Sequence, residues 1–491
     1  MLTLGSTKAS ALAVGVEFAS TSSGVSANLP ARVALIGQGS TGTTFSTDKL
    51  QVTSAAQVAS TYGQGSPLHL AALQLMPPNG GGLGAVPLTV YPLEDDAGGA
   101  AATGSVTVVG SVTTASSARV VVNNIQSQSF SLVVGDSVAA ICAKIKTAID
   151  AILKMPVTTT DNGTEVALTS KWKGSSGNDL HIEFLGGADS GLTFSVTAMA
   201  GGSGNPDVDS ALNQLGNSHE THVVNCLEVT DTTTLDKINA AGEQRWEGLE
   251  AKPFIAFTGG TAATAALATA VSSTKSAQRV NALVTDPGSK HLPLEIAAAT
   301  VAAIAPIAHA GPAEGYNGVQ LVNLTASADS GQWNLNERNL ALLGGSGNIA
   351  NEGGVATIGD LVTFYNDVAE ENPAYQFVDT TIKVMNLMYS VRQTLDNPAY
   401  KGASIIPDGQ VVNSGVRAVS PKEVKAALAG TLSALEAQAI IADADESKAG
   451  LSVVISPSNN RRFDVVVPAK VTGNLTQIDA LVQWSFNFGG A

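Results

Sequence analysis

The chain has 491 residues, enough for about two to four domains with cores of their own. Only 14% of them are charged and 5% aromatic, and a mean hydropathy of +0.17 carries too much apolar material for a disordered chain. A net charge of −15 opposes phosphate backbones and anionic lipid, so neither nucleic acid nor a membrane is expected as a partner. So few charges also suggest a surface largely covered by other chains. The longest Ala-rich run meets Pro306 before it reaches membrane-span length, and residues 1–10 lack the basic-then-apolar form of a leader. Cys142 and Cys226 fall in separate apolar patterns and read as core thiols of a reducing compartment.

Near the start, Leu12, Val14, Val16 and Phe18 alternate with Ala11, Ala13, Gly15 and Glu17, which describes a short amphipathic strand. The Ser/Thr/Gly segment 21–28, with Gly24 inside it, detaches that strand from the rest of the chain. Residues 32–37 then read as a buried strand that runs into Gly37-Gln38-Gly39-Ser40-Thr41-Gly42, a match to G-x-G-x-x-G. In a dinucleotide site a helix would open here and an acidic residue would close the next strand about 20 positions on. Thr43-Thr44-Phe45-Ser46-Thr47 is poor helix material and no such acid appears at that distance, so a tight turn is expected and no cofactor.

A helix over 68–76 and a Gly/Ala-rich joint at 96–104 precede a change to β-branched runs between 105 and 200, interrupted by one helix capped near Asp136 or Ser137. Beyond Asn205 helical and strand patterns alternate. Helices at 208–215, 235–249, 262–273 and 294–303 are interleaved with strands at 221–229, 254–257 and 280–284, which predicts an open, largely parallel sheet with helices on both faces. His219 and His222 lie three apart on a segment running into a strand, where side chains diverge, and no third metal ligand is evident. No G-x-S-x-G occurs, and Asp286-Pro287-Gly288 reads as a turn. No catalytic, metal or cofactor residue is assigned.

The last part opens with a helix over 381–395, followed by Ser420-Pro421-Lys422-Glu423, a complete capping box ahead of the stripe Val424, Leu428, Leu432, Leu435. A strand at 451–455, a turn at 458–460 and the run Phe463, Val465, Val467 come next. The chain closes with Ile478, Ala480, Val482, Trp484, Phe486 and Phe488 on one face of an extended strand. This strand either folds back on 463–467 through Gly473-Asn474 or leaves its own subunit to extend a neighbour's sheet. Burying Val482, Trp484, Phe486 and Phe488 would contribute on the order of ten kcal/mol gross. Arg461 and Arg462 stand beside this ribbon and could meet acidic groups of another copy, although exposed pairs contribute under about 1 kcal/mol. The divisions are 1–28, strand arm and linker; 29–100, first part of an α/β domain; 101–205, an inserted mainly-β domain; 206–380, the rest of the α/β domain; and 381–491, an α+β domain ending in the arm 476–488.

The order of motifs resembles the sheath protein of contractile phage tails, of the Mu-like type. The matching stretches are Leu29-Pro30-Ala31-Arg32-Val33-Ala34-Leu35-Ile36-Gly37, Val52-Thr53-Ser54 with Tyr62-Gly63-Gln64-Gly65-Ser66-Pro67-Leu68, Lys171-Trp172-Lys173-Gly174-Ser175-Ser176-Gly177-Asn178 and Asn336-Glu337-Arg338-Asn339-Leu340, with residues 381–395, 420–441 and 462–486. The resemblance implies a subunit that packs in hexameric layers around a tail tube and contracts to drive it through a host envelope. It implies a multidomain fold: a subtilisin-like α/β domain without catalytic residues, an outward-facing inserted domain, and a C-terminal α+β domain. The terminal arms, here Leu12 to Phe18 and Ile478 to Phe488, would lend strands to adjacent copies, with Gly24, Gly473 and Asn474 as hinges. The chain departs from many relatives in lacking an acidic cluster after the first arm. Expected partners are further copies, a tube protein, a baseplate and a tail terminator, in a virion tail sheath assembled in the host cytoplasm. A tail-tube or surface-layer subunit is the alternative, and a nucleotide-binding enzyme using Gly37, Gly39 and Gly42 the remote one. Tubes are built from far shorter chains, so length favours a sheath.

Overall fold

The computed structural model describes residues 28–366, 375–413, 415–476 and 480–483. They fall into two compact units, one of residues 387–472 and one of residues 28–386 with the described residues from 473 onward. The fold is mixed α/β and multidomain.

In the larger unit nine strands form one sheet, in the order Gln320–Thr325, Val355–Ile358, Ser346–Glu352, Asn281–Thr285, Ile255–Gly260, His222–Asn225, Val33–Gln38, Leu88–Leu93, Leu50–Val52. The strands from Ser346–Glu352 to Leu88–Leu93 are parallel and the outer three antiparallel. Val33–Gln38 and Leu88–Leu93 are buried at every position, the pattern of strands covered on both faces. The register shows what covers them. Thr258 pairs with Leu283 and Gly259 with Val284, so Leu283 and Gly259 point to opposite faces. Leu283 packs on Leu235 of the helix Thr232–Trp246, whereas a Cβ on Gly259 would stand 1.8 Å from the Pro293 carbonyl oxygen that opens the helix Pro293–Ala310. Helices therefore lie on both faces, as the alternation of patterns predicts.

Two helices depart from expectation. Residues 262–273 form only the short helix Ala265–Ala268 and a 3-10 turn Ser272–Lys275. The hydroxyls of Thr269 and Ser273 donate to the carbonyls of Ala265 and Thr269, so Ser and Thr compete with helix propagation where Ala alone would favour it. Conversely, Pro306 does not end the Ala-rich run: the helix continues from Pro293 to Ala310 with Pro306 inside it. A proline costs about 3 kcal/mol or more in a helix interior, and burial of most of this helix offsets that. By length and composition the helix would reach across a membrane, contrary to the sequence reading, but 67% of it is buried within the protein.

Between Ala101 and Ala200 the strands pair antiparallel in two four-stranded sheets. One has the order Leu192–Ala200, Ala101–Gly110, Glu165–Lys173, Val157–Asp161; in the other Ser116–Val122 pairs with Ile182–Gly186, Ile125–Gln126 and Phe130–Leu132. The helix Val138–Asp150, capped by Ser137, buries Ile141, Cys142, Ile145 and Ile149.

In the smaller unit the helix Pro421–Ala437 carries the predicted capping box. Ser420 Oγ accepts from Glu423 N at 3.4 Å, while Ser420 N donates to Glu423 Oε2 at 2.8 Å. Its stripe Val424, Leu428, Leu432 and Leu435 is buried. Ser452–Ile455 packs on it and pairs antiparallel with Phe463–Val466, and Ile441–Ala442 pairs with Lys470–Val471.

Replacing Gly259 by alanine drives a methyl into the Pro293 carbonyl. Gly259→Ala is expected to destabilise the larger unit by about 1–3 kcal/mol, seen as a lower midpoint in thermal or urea unfolding; an unchanged midpoint would contradict the packing described.

Candidate assembly site

Strand order reverses at Val33–Gln38, because the chain goes first to Leu88–Leu93 on one side and later to His222–Asn225 on the other. Open parallel sheets hold ligands at such a point, outside the carboxyl ends of the strands. Here the turn Gly37 to Gly42 occupies it, and the protein's own chain fills the space. A Cβ on Gly37 would lie 2.9 Å from Cys226 Sγ, and one on Gly39 would lie 2.3 Å from the Phe45 ring. Both glycines thus admit neighbouring side chains rather than a phosphate. The N–H groups of Ser40 and Thr41 donate to the carbonyls of Tyr62 and Lys171 at 2.8 and 2.6 Å. Gln38 Nε2, at the strand end, donates to Asp95 Oδ1 at 2.7 Å and to the Lys173 carbonyl at 2.8 Å. The next helix is Ala55–Tyr62. A nucleotide would find these donors already used.

His219 and His222 have separate partners. His219 Nε2 lies 3.1 Å from the Pro253 carbonyl, whereas His222 stacks on Phe257 with Nδ1 2.8 Å from Thr221 Oγ1. Burial pushes His222 down to about 4, so the ring is neutral at pH 7. Asp286, read as a turn residue, is fully buried; its Oδ1 accepts from Ser327 Oγ at 2.9 Å and burial raises its carboxyl above the usual range. Among the described residues no group of three or more His, Cys, Asp and Glu is placed to hold a metal ion.

Of the arm residues, Leu12, Val14, Val16, Phe18, Ile478, Trp484, Phe486 and Phe488, and the hinge candidate Gly24, lie outside the described residues. Ala480 and Val482 are described, carry no secondary structure and are exposed, with Leu481 at 85% and Val482 at 80%. The ribbon upstream is open. Phe463–Val466 pairs with Ser452–Ile455, and among the described residues neither strand has a second neighbour. Register puts Val453, Ile455, Phe463 and Val465 on one face, and Val454 and Val466 on the other, 48% and 62% exposed. Beside Phe463 and Val465 runs a cleft of about 760 Å³ with Leu395, Ile405, Val419 and Arg461 on its walls. Arg462 pairs with Asp464 at 2.7 Å and donates to Ser456 Oγ. Arg461 is exposed, and its guanidinium has no hydrogen-bond partner among the described residues.

Asn474 is tied down rather than loose. Its Nδ2 donates to Asp379 Oδ2 at 2.7 Å and its Oδ1 accepts from Lys383 Nζ at 2.6 Å, within hydrogen-bond reach on both sides. Gly315 permits this approach, since a Cβ there would stand 2.9 Å from Asn474 Nδ2. At the neighbouring Gly473 a Cβ would meet nothing within 4 Å. A cavity of about 300 Å³ adjoins this network, lined by Tyr316, Asn317, Asp360, Asp379, Asn474 and Thr476 among others. Residue spacing offers no pointer to it beyond a lysine set between Ile382 and Met385 of a helical stripe, because its walls come from segments far apart in the chain.

Over 439 residues the chain is 27% identical to the Mu-like prophage FluMu tail sheath protein of Haemophilus influenzae, covering 87% of each. The resemblance read from the order of motifs is therefore borne out by sequence comparison. No family profile matches the chain. Similar solved structures include a sheath tail protein from Listeria innocua (12% identity, 91% of this chain and 94% of that one, TM-score 0.46) and one from Desulfitobacterium hafniense (12%, 94% and 100%, 0.45). Another is the sheath complex of an extracellular contractile injection system in its contracted state (11%, 98% and 99%, 0.47).

Dinucleotides such as NAD are expected to leave the melting temperature unchanged, and a rise of several degrees at millimolar ligand would restore the cofactor reading. Because the His222 pKa is lowered on folding, its contribution to stability is complete above about 6.5 and is lost as pH falls towards about 4. His222→Gln should therefore flatten the loss of stability across that window, measured by urea unfolding at a series of pH values; an unchanged slope would show that the ring does not contribute to it.

Proposed function

We propose that this chain is the structural subunit of a contractile tail sheath, that copies of it stack as hexameric rings around a tail tube, and that it carries out no catalysis. The observation that carries the reading is the sequence likeness to a tail sheath protein across 87% of both chains. Contraction of such a sheath would drive the tube through the host envelope, with a baseplate and a tail terminator at the two ends, in a virion assembled in the host cytoplasm.

Copies are joined by strand donation. An extended arm of one copy, carrying Leu12, Val14, Val16 and Phe18 or Ile478, Ala480, Val482, Trp484, Phe486 and Phe488, lies along an open edge of the ribbon Ser452–Ile455 and Phe463–Val466 in the next. The open edges, and the cleft beside Phe463 with Leu395, Ile405 and Val419 on its walls, support this. Gly473 acts as pivot beside the tethered Asn474, and Gly24 does the same at the other end. The α/β domain, subtilisin-like without its catalytic residues, is the platform, and the inserted segment 101–205 faces outward. Donation between non-equivalent surfaces is heterologous, and where successive contacts do not close it builds a helix of copies, so rings linked in this way stack into a helical sheath rather than a discrete oligomer.

Deleting residues 478–491 should leave subunits with wild-type circular dichroism and melting temperature that no longer build tubes visible by negative-stain microscopy. Normal tubes from the truncated chain would sink the strand-donation reading.

A further inference from the structure

The cavity at the root of the C-terminal arm lies beside residues that the strand-donation reading leaves without a role. Asn317 Nδ2 donates to Asp360 Oδ1 at 3.0 Å, and Asp360 Oδ2 has no partner among the described residues. Asp379 is engaged by Thr380 N and by Asn474. Tyr316 lines the same cavity; it is only 3% exposed, and its hydroxyl makes no hydrogen bond among the described residues. A buried phenol without a partner costs free energy comparable to a lost hydrogen bond, which a polar group entering the cavity would recover. Burial and the negative charges of Asp379 and Glu314 push its ionisation up, so it stays neutral and can donate or accept.

The charge of the site is acidic. Asp360 and Asp379 line it and Glu314 is nearby, whereas among the described residues Lys383 is the cation that interacts with Asp379, and burial disfavours its charge. At about 300 Å³ the space suits one long side chain, not a drug-sized molecule. Guanidinium fits best: planar, with five donors, it can satisfy a carboxylate and a phenol oxygen together.

The source of that group comes from register. Thr476, on the cavity wall, is two residues before the start of the arm at Ile478; Arg461, with its unpartnered guanidinium, is two residues before the start of the acceptor strand at Phe463. If the donated strand runs parallel to Phe463–Val466 with Ile478 beside Phe463, then Thr476 of the donor comes alongside Arg461 of the acceptor. In the opposite orientation, with Ile478 beside Val466, Thr476 would come alongside Pro468 instead, about 23 Å along the strand from Arg461. We propose that the cavity lined by Tyr316, Asp360 and Asp379 receives the Arg461 side chain of a second copy of this chain, locking the donated strand in one direction and one register.

This rests on the strand-donation reading and goes beyond it by naming the pair that fixes orientation. The test uses the full chain, with tube assembly followed by sedimentation and negative-stain microscopy, and monomer folding by circular dichroism and melting. Arg461→Glu and Asp360→Arg should each raise the concentration needed for assembly by about tenfold or more, and the two together should bring it back to near the wild-type value. Tyr316→Phe should leave the monomer's melting temperature at or above wild type and still weaken assembly, which a merely structural tyrosine would not do. Where Asp360→Arg disturbs folding, Asp360→Asn keeps the Asn317 hydrogen bond and should weaken assembly in the same direction. Single variants that assemble like wild type, or a double variant no better than the singles, would overturn the pairing. Such a result alongside loss of assembly on deleting 478–491 would remove only this clamp, whereas assembly that survives the deletion removes strand donation itself.

Discussion

Main-chain hydrogen-bonding groups at the edge of a sheet must be paired or hydrated, and the ribbon Ser452–Ile455 with Phe463–Val466 leaves two edges without a strand among the described residues. Two strands alone are marginal in water, and this pair is held by the helix Pro421–Ala437 packed on Ser452–Ile455. That helix is itself firmly specified, by a reciprocal cap at Ser420 and Glu423 and a stripe of four buried side chains. The smaller unit thus holds this ribbon in a shape that the helix fixes. Val454 and Val466, exposed on the ribbon, would otherwise invite indiscriminate pairing.

The larger unit offers the opposite situation. Its parallel sheet has the architecture that holds nucleotides in many enzymes, yet the crevice at the reversal of strand order is closed by the chain's own Lys171 to Lys173, by Phe45 and by Cys226. Glycines that would elsewhere let a pyrophosphate approach serve here to let side chains approach. The donors that would hold an anion are taken up by the Tyr62 and Lys171 carbonyls, which ties the strand end to the segment Glu165–Lys173.

Much of this was legible in the residues because it is local. The capping box at Ser420, the continuous apolar run at Val33–Gln38 and the helix–strand alternation after Asn205 are short-range patterns; the first two formed where expected, and the alternation did so apart from the helix expected at 262–273. The errors were also local, in the competition between residue types: hydroxyl back-bonding shortened the helix near Ala265, and burial carried the helix Pro293–Ala310 through Pro306. What no pattern revealed was long-range. Nothing in the spacing of Tyr316, Asp360 and Asp379 marks them as neighbours, and Asn474, which composition would make a loose joint, is held from both sides by side chains far back in the chain. The turn Gly37 to Gly42 had the same limit in reverse: its motif was visible, but only the contacts of Phe45 and Cys226 show which side chains Gly37 and Gly39 make room for.

Strand pairing alone makes a weak link between copies. A strand of roughly ten residues that orders only on pairing gives up about 1–2 kcal/mol per residue of backbone freedom, while each new hydrogen bond returns only about 0.5–1.5 kcal/mol net. The net contribution of one arm is thus a small difference between large terms, and the backbone itself specifies direction poorly. In the proposed assembly, arms at both ends of each subunit would act together, the second engagement being effectively intramolecular. Such an assembly also requires side chains that penalise the wrong register. A chain with few charges and a net negative balance has few groups for electrostatic recognition; in the proposed assembly those few would matter most at Arg461, whose guanidinium has no partner among the described residues, and at the acidic cavity beside Tyr316, whose hydroxyl has none there either.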